Sequence, residues 1–227
     1  MNISRNENNK LREWFTITAH AGAMSLPDNS IEAIEQAIYA GADIVEMDVS
    51  LRPDGTPVII HSEKPNQDEG ILLDDAFSVV SESKTVKINL DLKRFDNIHE
   101  VQKLAEKHDL LNRIFFTGVD EKYAKSVQLQ CPLIPSLLNV SIKLPFFKSS
   151  EYAQYLADKI ISLNCIGLNC SYKGISSELV EIMHNNDLIV SVWTVNKEKD
   201  MLKMLSLSVD NITTRDILKL KDIVLKY

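Results

Sequence analysis

Eight times along the chain, a short segment with strand alternation or β-branched residues is followed by a stretch of helical periodicity. This repeat constrains the fold more than any single residue does. The strands are expected at 16–20, 43–50, 86–92, 113–117, 132–137, 165–169, 188–194 and 209–213. The helices are expected at 31–38 and 74–81, then at 97–109, 120–129, 151–163, 176–186, 197–206 and 216–226. Strands and helices in strict alternation build parallel sheets, and eight such units can close on themselves, so the expected fold is α/β, a (β/α)8 TIM barrel. The 227 residues fall short of the roughly 250 usual for such barrels, which implies compact loops. No Pro-, Gly- or Ser-rich linker and no internal repeat divides the chain, so residues 1–227 read as one domain.

One hairpin interrupts the alternation. In Arg52-Pro53-Asp54-Gly55-Thr56-Pro57 the Asp-Gly pair signals a tight turn, after which Val58-Ile59-Ile60-His61 returns antiparallel to the second strand and brings His61 back over the strand ends. Upstream, Pro27-Asp28-Asn29-Ser30 is turn chemistry. Asn29 or Ser30 is placed to cap a helix whose Ile31, Ile34 and Ile38 share one face and which Gly41 ends. Residues 62–85 read as a polar loop containing one helix near Asp74 to Ser81.

The residues suited to chemistry gather where strands end. In Thr16-Ile17-Thr18-Ala19-His20 the even positions share a face, which puts His20 at the C-terminal end of a strand with two threonines beneath it. Glu46 and Asp48 are two apart on the next strand and point the same way. Two like charges at that spacing are costly unless a cation lies between them. The spacing recurs in Asn89-Leu90-Asp91-Leu92-Lys93, where Asp91 and Lys93 share a face. Barrel enzymes carry their sites at the C-terminal ends of the strands, so His20, Glu46, Asp48, His61 and Asp91 point to a metal-assisted acid–base site.

The series His20-Ala21-Gly22, Pro27-Asp28-Asn29-Ser30, Glu46-Met47-Asp48 and Asp54-Gly55-Thr56-Pro57-Val58-Ile59-Ile60-His61 resembles the glycerophosphodiester phosphodiesterase family in order and spacing. The likeness extends more thinly through Asn89 to Lys93, Val192-Trp193-Thr194-Val195-Asn196 and Val209 to Thr214. It implies the phospholipase C-like barrel and hydrolysis of glycerophosphodiesters to an alcohol and glycerol 3-phosphate. It also implies a divalent metal ion, Mg2+ or Ca2+, held by Glu46, Asp48 and Asp91, with His20 and His61 as the acid–base pair. Lys93 would steady phosphate charge, and the rim position of Trp193 suits either stacking on the substrate's glycerol or the core. The chain is a divergent member on this reading. Ala21 replaces the usual arginine, Asp28 and Asp91 each replace a glutamate, and the insertion after His61 is shortened to residues 62–85. Thr214-Arg215 replaces Thr-Asp, and Arg215 is a candidate substrate-binding residue standing in for the missing phosphate clamp, against a simple ion pair with Asp210 or Asp216. The alternatives are a non-catalytic barrel that binds a phosphorylated ligand, or a lysophospholipase D or cyclising phospholipase-like activity.

Composition narrows the partners. A net charge of −7 argues against nucleic acid, and no apolar run reaches the roughly 20 residues of a membrane helix. The N-terminal residues lack the apolar core of a signal peptide, so a cytoplasmic enzyme of small-molecule substrates is expected, with oligomeric state left open. Cys131, Cys165 and Cys170 fit no disulfide or zinc spacing and read as buried thiols. His99, His108 and His184 fall in helices, in solvated or packing roles. Phe115, Phe116, Phe146 and Phe147 read as core or as an apolar lip with Leu144 and Pro145.

Overall fold

The computed structural model describes residues 15–142 and 149–227. Eight parallel strands close into a ring: β1 (Thr16–Ala19), β2 (Ile44–Leu51), β5 (Lys87–Leu92), β6 (Ile114–Val119), β7 (Ser136–Val140), β8 (Gly167–Ser171), β9 (Ile189–Trp193) and β10 (Asn211–Thr214). Closure is made by β1, which pairs in parallel with β10 through Thr16↔Asn211 and Ala19↔Thr214 and with β2 through Thr18↔Ile44. Crossover helices follow the strands: α1 (Ile31–Tyr39), α2 (Leu73–Glu82), α3 (His99–Lys107), α4 (Ala124–Gln130), α5 (Ser150–Ser162), α6 (Ser177–Asn185), α7 (Glu198–Ser206) and α8 (Ile217–Lys226). The barrel read from the alternation is the one found.

Alternation along the strands makes two layers of different chemistry. Val45, Met47 and Val49 of β2, and Ile88, Leu90 and Leu92 of β5, are buried in the apolar layer with helix residues such as Ile34, Phe77 and Val101. Each fully buried leucine there contributes about 2 kcal/mol by leaving water. The intervening residues point into the barrel and are polar. Asn211 donates to the hydroxyls of Thr16 (2.9 Å) and Thr18 (2.7 Å) and accepts from Ser191 (3.0 Å), while Thr117 donates to Asn89 (2.8 Å). These buried polar side chains satisfy one another, whereas Ser50 Oγ, Asp91 Oδ1 and Asn169 Oδ1 have no partner among the described residues.

The hairpin forms as read. β3 (Pro57–Ile59) runs antiparallel to β2, with Val49 opposite Ile59 and Leu51 opposite Pro57. The Ile60 N–H then donates to the Asp48 carbonyl at 2.9 Å, which carries His61 to the site. A two-residue strand, β4 (Ile71–Leu72), pairs with β3 and was not legible in the sequence. Its turn is tied down by Arg52, whose guanidinium donates to the carbonyls of Glu69 and Gly70, both at 2.9 Å. Ser30, not Asn29, caps α1, accepting from the Ala33 N–H.

Several boundaries differ from expectation, and three of them have a clear physical cause. The strand expected at 132–137 begins at Ser136, because Pro132 and Pro135 have no N–H to give to a ladder. The strand expected at 165–169 begins at Gly167, the Cys165 N–H still being bonded to the Ile160 carbonyl of α5. The helix expected from 120 begins at Ala124, after a turn in which the Asp120 carboxylate accepts from the N–H groups of Lys122 and Tyr123. All three cysteines are free and buried, and burial pushes the thiols of Cys131 and Cys170 up to about 12. His108 is paired with Asp74 and packs edge-on against Phe77, and His184 is paired with Asp210. Phe116 is in the core; the proposed lip of Leu144 to Phe147 lies outside the described residues. No helix among the described residues is long and apolar enough to cross a membrane.

Candidate active site

A cavity of about 380 Å3 opens at the C-terminal ends of the barrel strands. His20, Glu46, Asp48, His61, Asp91, Lys93 and Trp193 all line it, together with Asn89, Thr117, Asn139 and Asn169. Glu46 and Asp48 are opposite Asn89 and Asp91 in the β2–β5 register, so three carboxylates converge at one point of the wall. Their oxygens lie within 4.8 Å of one another.

Each carboxylate is held differently. Asp48 is fixed by Asn29, which donates from Nδ2 to Oδ2 (2.8 Å) and accepts the Asp48 N–H (2.9 Å). The sequence offers Asn29 as a candidate helix cap and as part of the Pro27 to Ser30 motif, but gives no sign of its contact with Asp48. Glu46 accepts from the Ala21 N–H at 3.2 Å, and burial, reinforced by the charges of Asp91 and Asp48, pushes its carboxyl up to about 8. Burial likewise raises Asp91, against the pull of Lys93. Lys93 bridges Asp48 and Asp91 at 2.9 Å each, and the two carboxylates outweigh the burial that would lower its ammonium. Asp91 Oδ1 is buried without a hydrogen-bond partner. Gly118 makes room for it, since a Cβ there would sit 2.3 Å from that oxygen.

His20 follows β1 directly, its N–H bonded to the Thr214 carbonyl (2.9 Å) and its Nδ1 accepting a long bond from the Gly22 N–H (3.4 Å). Burial and then the charge of Arg215 hold its imidazole below the usual histidine range, so it is uncharged near neutrality. Trp193 ends β9 on the cavity lip with 40% of its surface exposed, rather than in the core. Arg215 pairs with neither Asp210 nor Asp216; it forms a two-pronged ion pair with Asp28. Among the described residues the opposite wall is neutral. The Gly118 N–H donates to Asn139 Oδ1, which also receives Asn169 Nδ2, both at 3.0 Å.

This arrangement can hold a hard cation against an uncharged imidazole. Consistent with it, residues 20–68 and 62–219 match the model of the glycerophosphoryl diester phosphodiesterase family. The chain belongs to this family. A glycerophosphodiester phosphodiesterase of Bacillus altitudinis is 26% identical, covering 87% of this chain and 93% of that protein. One from Caldanaerobacter subterraneus subsp. tengcongensis is 27% identical over 88% and 93%. Among solved structures, an Oleispira antarctica phosphodiesterase in complex with sn-glycerol-3-phosphate matches with a TM-score of 0.75 at 20% identity, covering 96% of this chain and 99% of that one. A Thermotoga maritima glycerophosphodiester phosphodiesterase matches with a TM-score of 0.72 at 19% identity, over 92% and 98%. The chain is thus a phosphoric diester hydrolase acting on glycerophosphodiesters, as the motif series implied.

Proposed function

We propose that the barrel hydrolyses glycerophosphodiesters to an alcohol and glycerol 3-phosphate with Glu46, Asp48 and Asp91 holding one divalent cation, Mg2+ or Ca2+. The observation that carries this is the convergence of three carboxylates within 4.8 Å of one another, one of them with an orphaned buried oxygen, in the cavity that also holds both histidines. Oxygen-only donors suit a hard cation, and the Glu46 carboxyl, pushed up to about 8 by burial and then by the charges of Asp91 and Asp48, would be eased by one. Such an ion, when bound, offsets phosphoryl charge and eases deprotonation of the attacking hydroxyl.

The chain's own residues supply the rest. His20 enters uncharged and, with His61, moves the two protons, one from the attacking hydroxyl and one to the departing alkoxide. The nucleophile on this reading is the substrate's neighbouring glycerol hydroxyl, which expels the alcohol and closes a cyclic phosphate; water then opens that ring to glycerol 3-phosphate, with the two histidines exchanging their proton roles. Lys93 contributes a point positive charge beside the phosphate, and Trp193 covers the glycerol. The glycerol 3-phosphate bound by the Oleispira relative supports the assignment of product. Free thiols fit a reducing cytoplasm as the working compartment.

The test follows glycerophosphocholine and glycerophosphoethanolamine by phosphorus NMR with the wild-type chain and with His20→Ala and His61→Ala. Glycerol 3-phosphate should accumulate, and each variant should lose about 10²–10⁴-fold in kcat. Wild-type activity retained in either variant would refute the assignment of that histidine, and accumulation of a cyclic phosphate alone would identify a cyclising enzyme.

A further inference from the structure

Arg215 stands just past the end of β10, beside the strand that delivers His20, and its guanidinium is held by three hydrogen bonds on two of its edges. Nη1 donates to Asp28 Oδ1 at 2.8 Å and to the Gly22 carbonyl at 2.9 Å, and Nη2 donates to Asp28 Oδ2 at 3.0 Å. An arginine has five N–H donors in a rigid plane. Three are used here, all on the end and the Cδ-facing side. The two left over among the described residues, Nε–H and the second N–H of Nη2, are parallel and face the same way, the pair that grips two oxygens of a carboxylate or phosphate.

The pair is built into the turn. A Cβ on Gly22 would lie 1.6 Å from Asp28 Oδ1 and 2.6 Å from Arg215 Nη1, so the position admits glycine only while the ion pair is in place. Arg215 is the largest charged influence on His20 and itself feels the charges of Glu46 and Asp48, which places its cation within electrostatic reach of the acid–base and carboxylate groups. The side chain is 41% exposed, so a solute reaches it.

We propose that Arg215 is a phosphate-binding residue of the site, with Asp28 as the positioning residue that fixes the guanidinium so that its free two-pronged edge takes two phosphate oxygens. This rests on the phosphodiesterase reading of the same cavity. Fixing the guanidinium in advance removes the entropy of ordering a long side chain when substrate arrives. Asp28 spends one edge of the fork and leaves the other, so it orients the arginine without consuming it.

Two readouts separate this inference from the activity it rests on. Calorimetry gives the Kd of glycerol 3-phosphate for the wild-type chain and for Arg215→Ala, Arg215→Lys and Asp28→Asn, and initial rates give kcat and KM on glycerophosphocholine with saturating Mg2+ or Ca2+. Arg215→Ala should weaken glycerol 3-phosphate about tenfold or more and raise KM in parallel. Arg215→Lys should recover only part, because an ammonium keeps the charge and loses the fork. Asp28→Asn should show a smaller loss of the same kind. Added guanidinium ion should restore part of the rate of Arg215→Ala and leave the wild type unchanged, a response that a purely structural ion pair would not give. Unchanged Kd and KM in Arg215→Ala, or in Arg215→Lys if the alanine variant does not fold, would overturn the assignment. A wild-type chain that released no product yet lost glycerol 3-phosphate affinity on Arg215→Ala would overturn the hydrolytic reading and uphold this one.

Discussion

The rim of the barrel has two unlike arcs. From β1 through the hairpin to β5 it carries His20, Glu46, Asp48, His61, Asp91 and Lys93, while from β6 to β9 the cavity wall is formed by Thr117, Asn139, Asn169 and Trp193, with no ionisable side chain among the described residues. The charged arc is costly to fold: Glu46 is held well above the ordinary carboxylate range and Asp91 keeps an oxygen without a partner. The neutral arc is satisfied at Asn139, which accepts from both Gly118 and Asn169, and it too leaves one buried oxygen, Asn169 Oδ1, without a partner among the described residues. The difference assigns the work. On the proposed reading, the charged arc is where charge is to be neutralised and protons moved, and the neutral arc offers shape and neutral hydrogen bonds to the uncharged part of the substrate.

The sharpest way to break this division is to neutralise the charged arc. Glu46→Gln should lower kcat/KM by about three orders of magnitude or more, measured by glycerol 3-phosphate release, and abolish divalent-cation binding in calorimetry without unfolding the chain. Asn169→Ala should cost about tenfold or less in the same assay. If the two losses were equal, the two arcs would not divide the chemistry. Trp193→Ala sits between the arcs at the lip and should raise KM by about tenfold with a smaller change in kcat, because it contributes apolar cover rather than charge.

Two pH effects sharpen the comparison further. An imidazole kept below its ordinary value must be uncharged to accept a proton, so the acid limb of kcat/KM belongs below pH 6.5. Removing the positive charge of Arg215 makes protonation of His20 easier, and Arg215→Ala should move that limb upward, as a pH series on both proteins would register. The smallest effect is on stability without metal. Glu46 keeps its proton in the folded chain up to about 8 whereas the unfolded chain loses it near 4.5. The folded state therefore binds more protons in that window, and stability, complete below it, is lost as pH rises through it. Thermal melting of the metal-free chain should fall by about several degrees across the window, and Glu46→Gln should flatten the slope.

The two arcs also differ in how far they could be read beforehand. Charged residues at period two advertise themselves, so Glu46 with Asp48 and Asp91 with Lys93 read as same-face pairs and His20 as a strand-end residue, and the structure brings the five together. Asn139 and Asn169 were missed, because a single neutral amide in an apolar strand looks no different from a satisfied interior residue. Asn29 was read as a turn residue, since its bonds to Asp48 join positions 19 apart and no local pattern encodes them. The barrel itself was legible through its alternation, and the strand starts displaced by Pro132 and Pro135 show where backbone donors rather than hydropathy set the boundary. Arg215 was singled out for its position beside β1, but its partner Asp28, 187 residues away in sequence, needed the fold.

The most direct measurement of the central claim is release of glycerol 3-phosphate from glycerophosphocholine and glycerophosphoethanolamine by the wild-type chain in Mg2+, in Ca2+ and in a chelator, set beside Glu46→Gln. The account predicts release with at least one of the two cations, none in the chelator, recovery when the cation is restored, and none from Glu46→Gln under any condition. Release that persisted undiminished in the chelator, or in Glu46→Gln, would contradict it.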